Sequence, residues 1–200
     1  IALPNESKKG NKPRFQYVLA QLYQMNGERE AARNAYQKVL KMQPSNEMDF
    51  NARLRLAQLE KSPKEGIKLL TKMVKLDKNK DQLDQIYGTI GDIYLAQTDT
   101  AMALINYEKA IEESTQSGMA KAKVLITAGD IYYEQRNYIK ASPCYKEATQ
   151  ILSADNDQYE RIQQRSETLD ELVIEYSMVQ LQDSLQHLAT LSEAEQRVVV

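Results

Sequence analysis

The chain contains few of the residues from which catalytic and metal sites are most often built. Its 200 residues include one cysteine, one histidine and seven glycines. A single cysteine excludes a disulfide within the chain, and no second cysteine or neighbouring histidine is available to complete a zinc site. The glycines are scattered and form no Gly-rich phosphate-binding loop. We therefore expect no metal and no cofactor.

The two rare reactive residues also lack the partners that chemistry requires. Asp183 is the only acidic residue one helical turn from His187, and a catalytic base or metal ligand needs more partners than that. Cys144 precedes Tyr145 in a predicted helix, where a small buried apolar side chain is the default role of a cysteine. Because no nucleophile, base and orienting group can be assembled, the sequence predicts a protein that is not an enzyme.

Long apolar runs and a strong net charge are absent too. No run approaches the ~18 residues that a membrane span needs, and a net charge of −2 gives the whole chain no nucleic-acid signature. The charge is nevertheless uneven, because residues 1–80 carry 17 Lys and Arg against 8 Asp and Glu, whereas residues 81–200 carry 9 against 20. The resulting +9 and −11 predict two solvated surfaces of opposite sign, and such a dipole can also orient partners or assembly.

The termini predict a longer protein. The chain begins with Ile1 instead of Met and ends on Val200 just after a predicted helix start. We expect both ends to be cuts within a longer chain. The absence of a signal peptide therefore says little about the compartment.

A helical hairpin recurs along the chain in one register. Residues 90–114 align without a gap with residues 128–152, so that Gly91 and Tyr107 fall on Gly129 and Tyr145. Helix axes ~8–10 Å apart require small side chains at the crossing and large rings beside them. The first helices carry Ala20, Leu54, Gly91 and Gly129, followed by Tyr23, Ala57, Tyr94 and Tyr132; the second helices carry Ala32, Gly66, Ala103 and Ala141, followed by Tyr36, Leu70, Tyr107 and Tyr145.

This spacing resembles the tetratricopeptide repeat (TPR), whose period is about 34 residues. The resemblance implies an all-α fold, a right-handed α-solenoid of TPR hairpins with a C-terminal capping region, and solenoids mostly bind other molecules. The predicted organisation is a loose segment over 1–12, four repeats over 13–46, 47–83, 84–121 and 122–153, capping helices over 154–190, and the truncated start of a further helix over 191–200.

Local signals agree with this register. The second helices are predicted to start at Glu28, Ser62, Asp99 and Asn137, and the last three can cap a helix. Ser62 to Glu65 and Ser192 to Glu195 have the spacing of capping boxes, and Pro143 should bend or open its helix. Leu169, Leu172, Val173, Tyr176 and Val179 share one face of a predicted helix pair, or of one long broken helix, that covers the end of repeat four.

The partner surface of a TPR array is its inner face, which the first helix of each hairpin lines. The resemblance places there Tyr17, Gln21, Gln24, Asn51, Arg55, Gln58, Thr89, Asp92, Leu95, Lys123, Thr127, Asp130 and Tyr133. This face is polar and mixed in sign. It does not match the Lys, Asn and Arg clamp with which some TPR proteins hold the C-terminal carboxylate of a chaperone, so we do not expect such an adaptor.

A lysine stripe follows one predicted outer helix. Its members are Lys61, Lys64, Lys68, Lys72 and Lys75. A solvated convex face is the favoured interpretation, and docking of an acidic partner or of lipid headgroups is the alternative. The tyrosines, by contrast, fall mainly on repeat core positions and are not interpreted as a nucleic-acid stacking surface.

Several stretches are similar to a narrower family. They are Tyr17 to Tyr23, Asp49 to Leu54, Asp84 to Tyr87, Leu169 to Leu172, Gln182 to Leu185 and the run that begins at Leu191. These resemble the large TPR lipoproteins of the PorW/SprE type, which serve the type IX secretion and gliding machinery of certain Gram-negative bacteria.

The narrower resemblance implies a periplasmic, outer-membrane-anchored scaffold without catalysis. Its partners would be other proteins of the secretion machinery or the envelope. It would touch the membrane only through a lipid on a cysteine upstream of this chain. The alternative hypothesis is an intracellular TPR regulator or adaptor that binds a peptide or a small signal; the same solenoid supports it, and the family stretches argue against it.

Overall fold

The computed structural model describes residues 11–115 and 118–191, and every regular element in these ranges is helical. The elements are α1 (Lys12–Met25), α2 (Arg29–Lys41), α3 (Asn46–Gln58), α4 (Pro63–Val74), a 3-10 helix (Asp77–Gln82), α5 (Leu83–Leu95), α6 (Thr100–Glu112), α7 (Met119–Glu134), α8 (Tyr138–Ile151) and α9 (Tyr159–Thr190). The predicted all-α class is confirmed. The chain divides into two compact units, one up to Thr115 and one from Gln116.

Small residues and buried tyrosines hold the hairpins together, as the spacing predicts. A Cβ atom on Gly91 of α5 would lie 2.5 Å from Tyr107 Cε1 of α6. In the second unit, a Cβ on Gly129 of α7 would lie 3.0 Å from Tyr145 Cε1 of α8. Both tyrosines are completely buried. Each ring therefore fills the space that the missing glycine side chain leaves at the helix crossing.

The second hairpin differs from the other three in the placing of its small and large residues, and the structure shows the difference that the sequence predicts. Leu54 and Ala57 are both buried on α3, and Leu70 takes the place of the core tyrosine on α4. Gly66 packs directly against the backbone carbonyl of Ala57, which leaves no room for a Cβ. Close approach of the helices is thus retained, although the small residue has moved by one turn.

One turn geometry closes three of the hairpins. Gly27, Thr98 and Arg136 occupy equivalent positions and have φ angles of 76°, 61° and 58°. The amide of the next residue donates to the carbonyl of the repeat's first-helix aromatic residue, five residues earlier. These bonds run from Glu28 to Tyr23 (2.9 Å), from Asp99 to Tyr94 (3.1 Å) and from Asn137 to Tyr132 (2.9 Å). This is the Schellman arrangement that ends many helices.

The predicted helix caps are formed in two of three cases. Asp99 accepts from the Met102 amide at 3.0 Å, and Asn137 accepts from the Lys140 amide at 3.3 Å. The predicted capping box at Ser62 is wrong, because the Ser62 side chain makes no cap bond. Its backbone carbonyl instead accepts from the amides of Glu65 and Gly66 at 3.0 and 3.1 Å.

Helix α8 runs without interruption from Tyr138 to Ile151, although Pro143 lies inside it. Proline removes one amide donor from the helix, so a bend or a local opening is expected. Pro143 and Ile139 are both exposed. Water can therefore reach the carbonyl that loses its donor, and the helix continues.

Helix α9 is one continuous helix of 32 residues, neither a pair nor a broken helix. Its first half packs on α8 and buries Ile162, Ser166 and Leu169. Leu172 and Val179, which were expected on the covering face, are exposed. The cover therefore consists of the first half of α9 together with Tyr176, whose ring meets that of Tyr138 of α8 edge-on with centroids 6.0 Å apart. The predicted loose segment over 1–12, except its last two residues, and the capping box from Ser192 lie outside the described residues, and the limits of the four repeats stay predictions.

Candidate functional site

Three predicted inner residues line one cavity in the unit up to Thr115. Gln24 of α1, Gln58 of α3 and Asp92 of α5 contribute to its wall, and its volume is about 630 Å³. We call this space the first-helix cavity. Arg29, at the start of α2, also lines it and donates to the carbonyls of Gln58 (3.0 Å), Leu59 (3.3 Å) and Glu60 (2.7 Å). A guanidinium at the end of α3 satisfies carbonyls that have no partner within that helix.

The polar groups beside this cavity are linked to one another. Tyr36 donates its hydroxyl to Gln24 Oε1 at 3.0 Å, and Arg55 Nη1 donates to Gln58 Oε1 at 3.3 Å. The ring of Tyr17 meets the Tyr36 ring edge-on, with centroids 5.4 Å apart. Burial is the main reason that the pKa of Tyr36 is raised to about 12, and the positive Arg55 opposes that rise. These bonds fix the positions of the amide groups.

The other residues of this unit that are predicted on the inner face differ in their exposure and in their hydrogen bonds. Gln21 and Arg55 are exposed. The Asn51 amide donates to Glu47 O of its own helix at 3.0 Å. Thr89 is buried and donates its hydroxyl to Gln85 O at 2.7 Å, so it does not offer a group to a partner. Leu95 is half-buried.

A second, smaller cavity lies in the unit from Gln116. Lys123, Thr127 and Asp130 line it together with Arg161 of α9, and its volume is about 310 Å³. The Thr127 hydroxyl donates to Lys123 O at 2.8 Å. Asp130 accepts from Tyr145 Oη at 2.6 Å and forms ion pairs with Arg161 (3.1 Å) and Arg165 (2.5 Å).

Helix α9 thus occupies part of the predicted inner face of the fourth hairpin. The Arg165 guanidinium lies 4.7 Å from the ring centroid of Tyr133 and 5.6 Å from that of Tyr145. These distances are typical of cation–π contacts. Asp130 and Tyr133 therefore serve to dock α9. The sequence pattern does not indicate either arginine as a site residue, since contacts 31 and 35 residues apart leave no periodic signal.

The aspartates at one repeat position accept hydrogen bonds from buried tyrosines. Tyr107 donates to Asp92 Oδ1 at 2.9 Å, and Tyr145 makes the equivalent bond to Asp130. The pKa of each tyrosine is raised, first by burial and then by the carboxylate beside it. Both carboxylates are thus engaged in holding the hairpins together.

The residues considered as candidates for catalysis or metal binding do not form a cluster. Within residues 11–115 and 118–191, no group of three or more His, Cys, Asp and Glu side chains is placed to hold a metal ion. Cys144 is buried and His187 is exposed on α9. Over the same ranges, none of the helices combines the length and the apolar character that a membrane crossing requires.

The lysine stripe lies mostly on α4. Lys64, Lys68 and Lys72 are exposed on this helix, and Lys75 follows its end. Lys61, just before the helix, pairs with Glu30 at 3.3 Å. The stripe is therefore a solvated surface in the unit up to Thr115. Two of its members also line cavities, Lys61 the first-helix cavity and Lys72 a separate groove.

Solved structures with this fold are similar to the chain along most of its length. Two crystal structures of MamA match with 22% identity over 76% of this chain and 83% of that chain (TM-score 0.50), and with 20% identity over 92% and 98% (TM-score 0.51). The crystal structure of BtubC (BKLC) from P. vanneervenii matches with 16% identity over 84% and 76% (TM-score 0.61). Such identities show a shared fold alone.

Two sequence models of protein families match the residues that form the helical hairpins. None of the curated proteins compared with the chain is similar to it in sequence. Residues 122–151, which include most of α7 and all of α8, match a tetratricopeptide repeat model. Residues 5–128 match the model of a tetratricopeptide repeat-like domain. Since that match spans more than half of the chain, the chain belongs to the tetratricopeptide repeat-like family.

Proposed function

We propose that this chain is a non-catalytic scaffold that binds other proteins, and that its partner site is the first-helix cavity. The observation that carries this proposal is the convergence of Gln24, Gln58 and Asp92, from three successive first helices, on one cavity of about 630 Å³. Repeat proteins bind partners on the surfaces that their stacked repeats create.

The chemistry of the cavity favours a polar peptide segment as the ligand. Side-chain amides such as those of Gln24 and Gln58 can both donate to and accept from a peptide backbone. Arg55 adds an exposed positive charge beside them. An extended segment with an acidic side chain near its centre would use both features.

We further propose that the full-length protein is a periplasmic lipoprotein, anchored to the outer membrane and linked to type IX secretion or gliding machinery. The support for this step is the similarity of its sequence stretches, such as Asp84 to Tyr87 and Gln182 to Leu185, to the PorW/SprE type. The lipid-bearing cysteine would lie upstream of this chain.

A capture experiment tests the partner site. The tagged chain would be incubated with an envelope fraction of the source organism, and bound proteins would be quantified by mass spectrometry. Arg55→Glu should reduce partner recovery several-fold, because it reverses an exposed charge that is hydrogen-bonded to Gln58 of the cavity wall. Arg14→Glu is the matched control, since Arg14 is exposed on α1 and does not line the cavity. Equal recovery with both variants would contradict the site.

Fractionation tests the location separately. The full-length protein should be labelled by radioactive palmitate and should sediment with outer membranes. Recovery in the cytosol without lipid would contradict the envelope assignment and would favour the intracellular regulator.

A further inference from the structure

The second half of α9 presents an apolar and acidic face to solvent. Ile174, Met178, Leu181 and Leu185 are 60%, 56%, 61% and 56% exposed. Their spacing of four, three and four residues places them on one side of the helix. Residues 171–190 contain three acidic residues and no lysine or arginine. We call this surface the α9 stripe. Apolar patches of this kind on a folded protein usually mark a place where something binds.

A groove of complementary character lies in the unit up to Thr115. It lies between α2, α3 and α4, has a volume of about 560 Å³ and includes the buried side chains of Phe50, Leu56 and Met73. Leu69 and Leu76 also line it and are 41% and 45% exposed. We call this surface the basic groove.

The charge of the groove is opposite to that of the α9 stripe. Three cations, Arg53, Lys72 and Lys78, line it together with two carboxylates, Asp49 and Glu60, and Glu60 is paired with Arg33 at 3.1 Å. Asp49 already holds Arg53 at 2.8 Å and approaches Lys78 at 3.7 Å, whereas Lys72 is an exposed cation of the lysine stripe. Residues 29–80 around it carry 13 Lys and Arg against 6 Asp and Glu. An acidic segment would therefore be attracted to this face.

We propose that the basic groove of one copy of this chain binds the α9 stripe of a second copy. An amphipathic helix binds a groove through apolar anchors at i, i+4 and i+7, and Ile174, Met178 and Leu181 have this spacing. Leu69, Met73 and Leu76 have it too, on the groove side. Two α9 stripes facing each other would bring together Glu171 and Glu175 of both copies, four carboxylates without a lysine or arginine, whereas Asp183 lies on the opposite side of the helix. Charge therefore favours the groove as the partner.

The two surfaces differ, so the contact is heterologous. Each copy that joins retains one groove or one stripe for the next copy, and such contacts produce rings or open chains. Neither Lys72 nor Glu175 lines the first-helix cavity. Self-association and partner binding can therefore fail independently.

The test measures the mass of the 200-residue chain by sedimentation velocity over a wide concentration range. Wild type should show a mass that rises with concentration. Lys72→Glu and Glu175→Lys should each weaken association about ten-fold, since each places like charges in the interface. An equimolar mixture of the two variants should regain association. When the groove of either variant meets the stripe of the other, the charges at positions 72 and 175 are opposite.

Lys64→Glu is the control for net charge, because Lys64 is exposed on the same helix but does not line the groove. It should associate like wild type. Circular dichroism would establish that every variant keeps its helices. A wild-type mass equal to one chain at every concentration would overturn the proposal. Association that survives Lys72→Glu would overturn it as well and would indicate an α9–α9 contact.

Discussion

Tyr145 donates its hydroxyl hydrogen to Asp130 across the two helices of one hairpin, with 2.6 Å between the oxygens. Tyr107 and Asp92 form the same pair in the preceding hairpin at 2.9 Å, with the same separation of 15 residues. The first hairpin has Tyr36 but no aspartate, and there Gln24 accepts the bond at 3.0 Å. An acidic residue on the inner face can therefore be structural, which a projection of the helix cannot reveal.

Replacing Tyr145 by phenylalanine should lower the free energy of unfolding by about 1–2 kcal/mol, because a hydrogen bond to a charged acceptor is lost. Tyr36→Phe should cost less, about 0.5–1 kcal/mol, since its acceptor is a neutral amide. Urea denaturation followed by circular dichroism measures both. An equal or larger loss for Tyr36→Phe would show that the aspartate adds nothing to the bond.

Alkaline pH should destabilise the fold through the same tyrosines. Burial raises the pKa of Tyr36 from 10.0 to about 12, and it raises the pKa of Tyr107 and Tyr145 as well. The folded chain thus holds these protons more tightly than the unfolded chain. The stability that this difference contributes is fully present below about pH 10 and is lost as the pH rises toward 12.

Thermal melting measures this dependence, and the melting temperature should fall as the pH rises from about 10 to about 12. Tyr36→Phe should reduce the slope, because it removes one of the titrating groups. Parallel slopes for wild type and variant would contradict the role of Tyr36.

The glycines at the helix crossings should tolerate alanine unequally. A Cβ on Gly91 would lie 2.5 Å from Tyr107 Cε1, whereas a Cβ on Gly129 would lie 3.0 Å from Tyr145 Cε1. Overpacking costs typically about 1–3 kcal/mol, and the better helix propensity of alanine recovers about 1 kcal/mol. Gly91→Ala should therefore destabilise clearly and Gly129→Ala only slightly. Urea denaturation compares the two, and the reverse order would contradict the packing.

The hairpin turns offer stabilising substitutions. Thr98 and Arg136 adopt φ angles of 61° and 58° at the position where the first hairpin has Gly27. A left-handed conformation costs a residue with a Cβ roughly 1 kcal/mol. Thr98→Gly and Arg136→Gly should each raise the free energy of unfolding by up to about that amount, and Gly27→Ala should lower it. Urea denaturation of the three variants measures these changes in the free energy of unfolding. Destabilisation by both glycine substitutions would show that the side chains contribute more than the strain costs.

The hairpins and their turns show which features of the fold the sequence predicts and which it does not. The small and aromatic positions follow from helix geometry, so Gly91, Tyr107, Gly129 and Tyr145 are placed correctly from spacing alone. The caps at Asp99 and Asn137 are placed correctly for the same reason, because a cap depends on residues within one turn. The φ angle at Thr98 is not predicted by the local sequence, because threonine rarely adopts it and only alignment with Gly27 suggests it.

The candidate site is predicted less well than the fold, because its state depends on contacts distant in sequence. Thr89 was expected on the inner face and is buried, since the packing around α5 covers it. Asp130 was expected to face a partner and instead holds Arg161 and Arg165 of α9. The cavity beside Gln24, Gln58 and Asp92 depends on the packing of three hairpins, which no single helix pattern specifies.

The two halves of α9 should respond differently to one substitution. Leu169 is 1% exposed where α9 packs on α8, whereas Leu181 is 61% exposed. Leu169→Ala removes buried methyl groups and leaves a cavity, so it should cost about 2–5 kcal/mol. Leu181→Ala should change the free energy of unfolding by less than about 0.5 kcal/mol, as exposed positions usually do. Thermal melting at low protein concentration, where copies do not meet, measures both. The final repeat of a solenoid needs a cover for its apolar face, and a melting point unchanged by Leu169→Ala would show that α9 does not provide it.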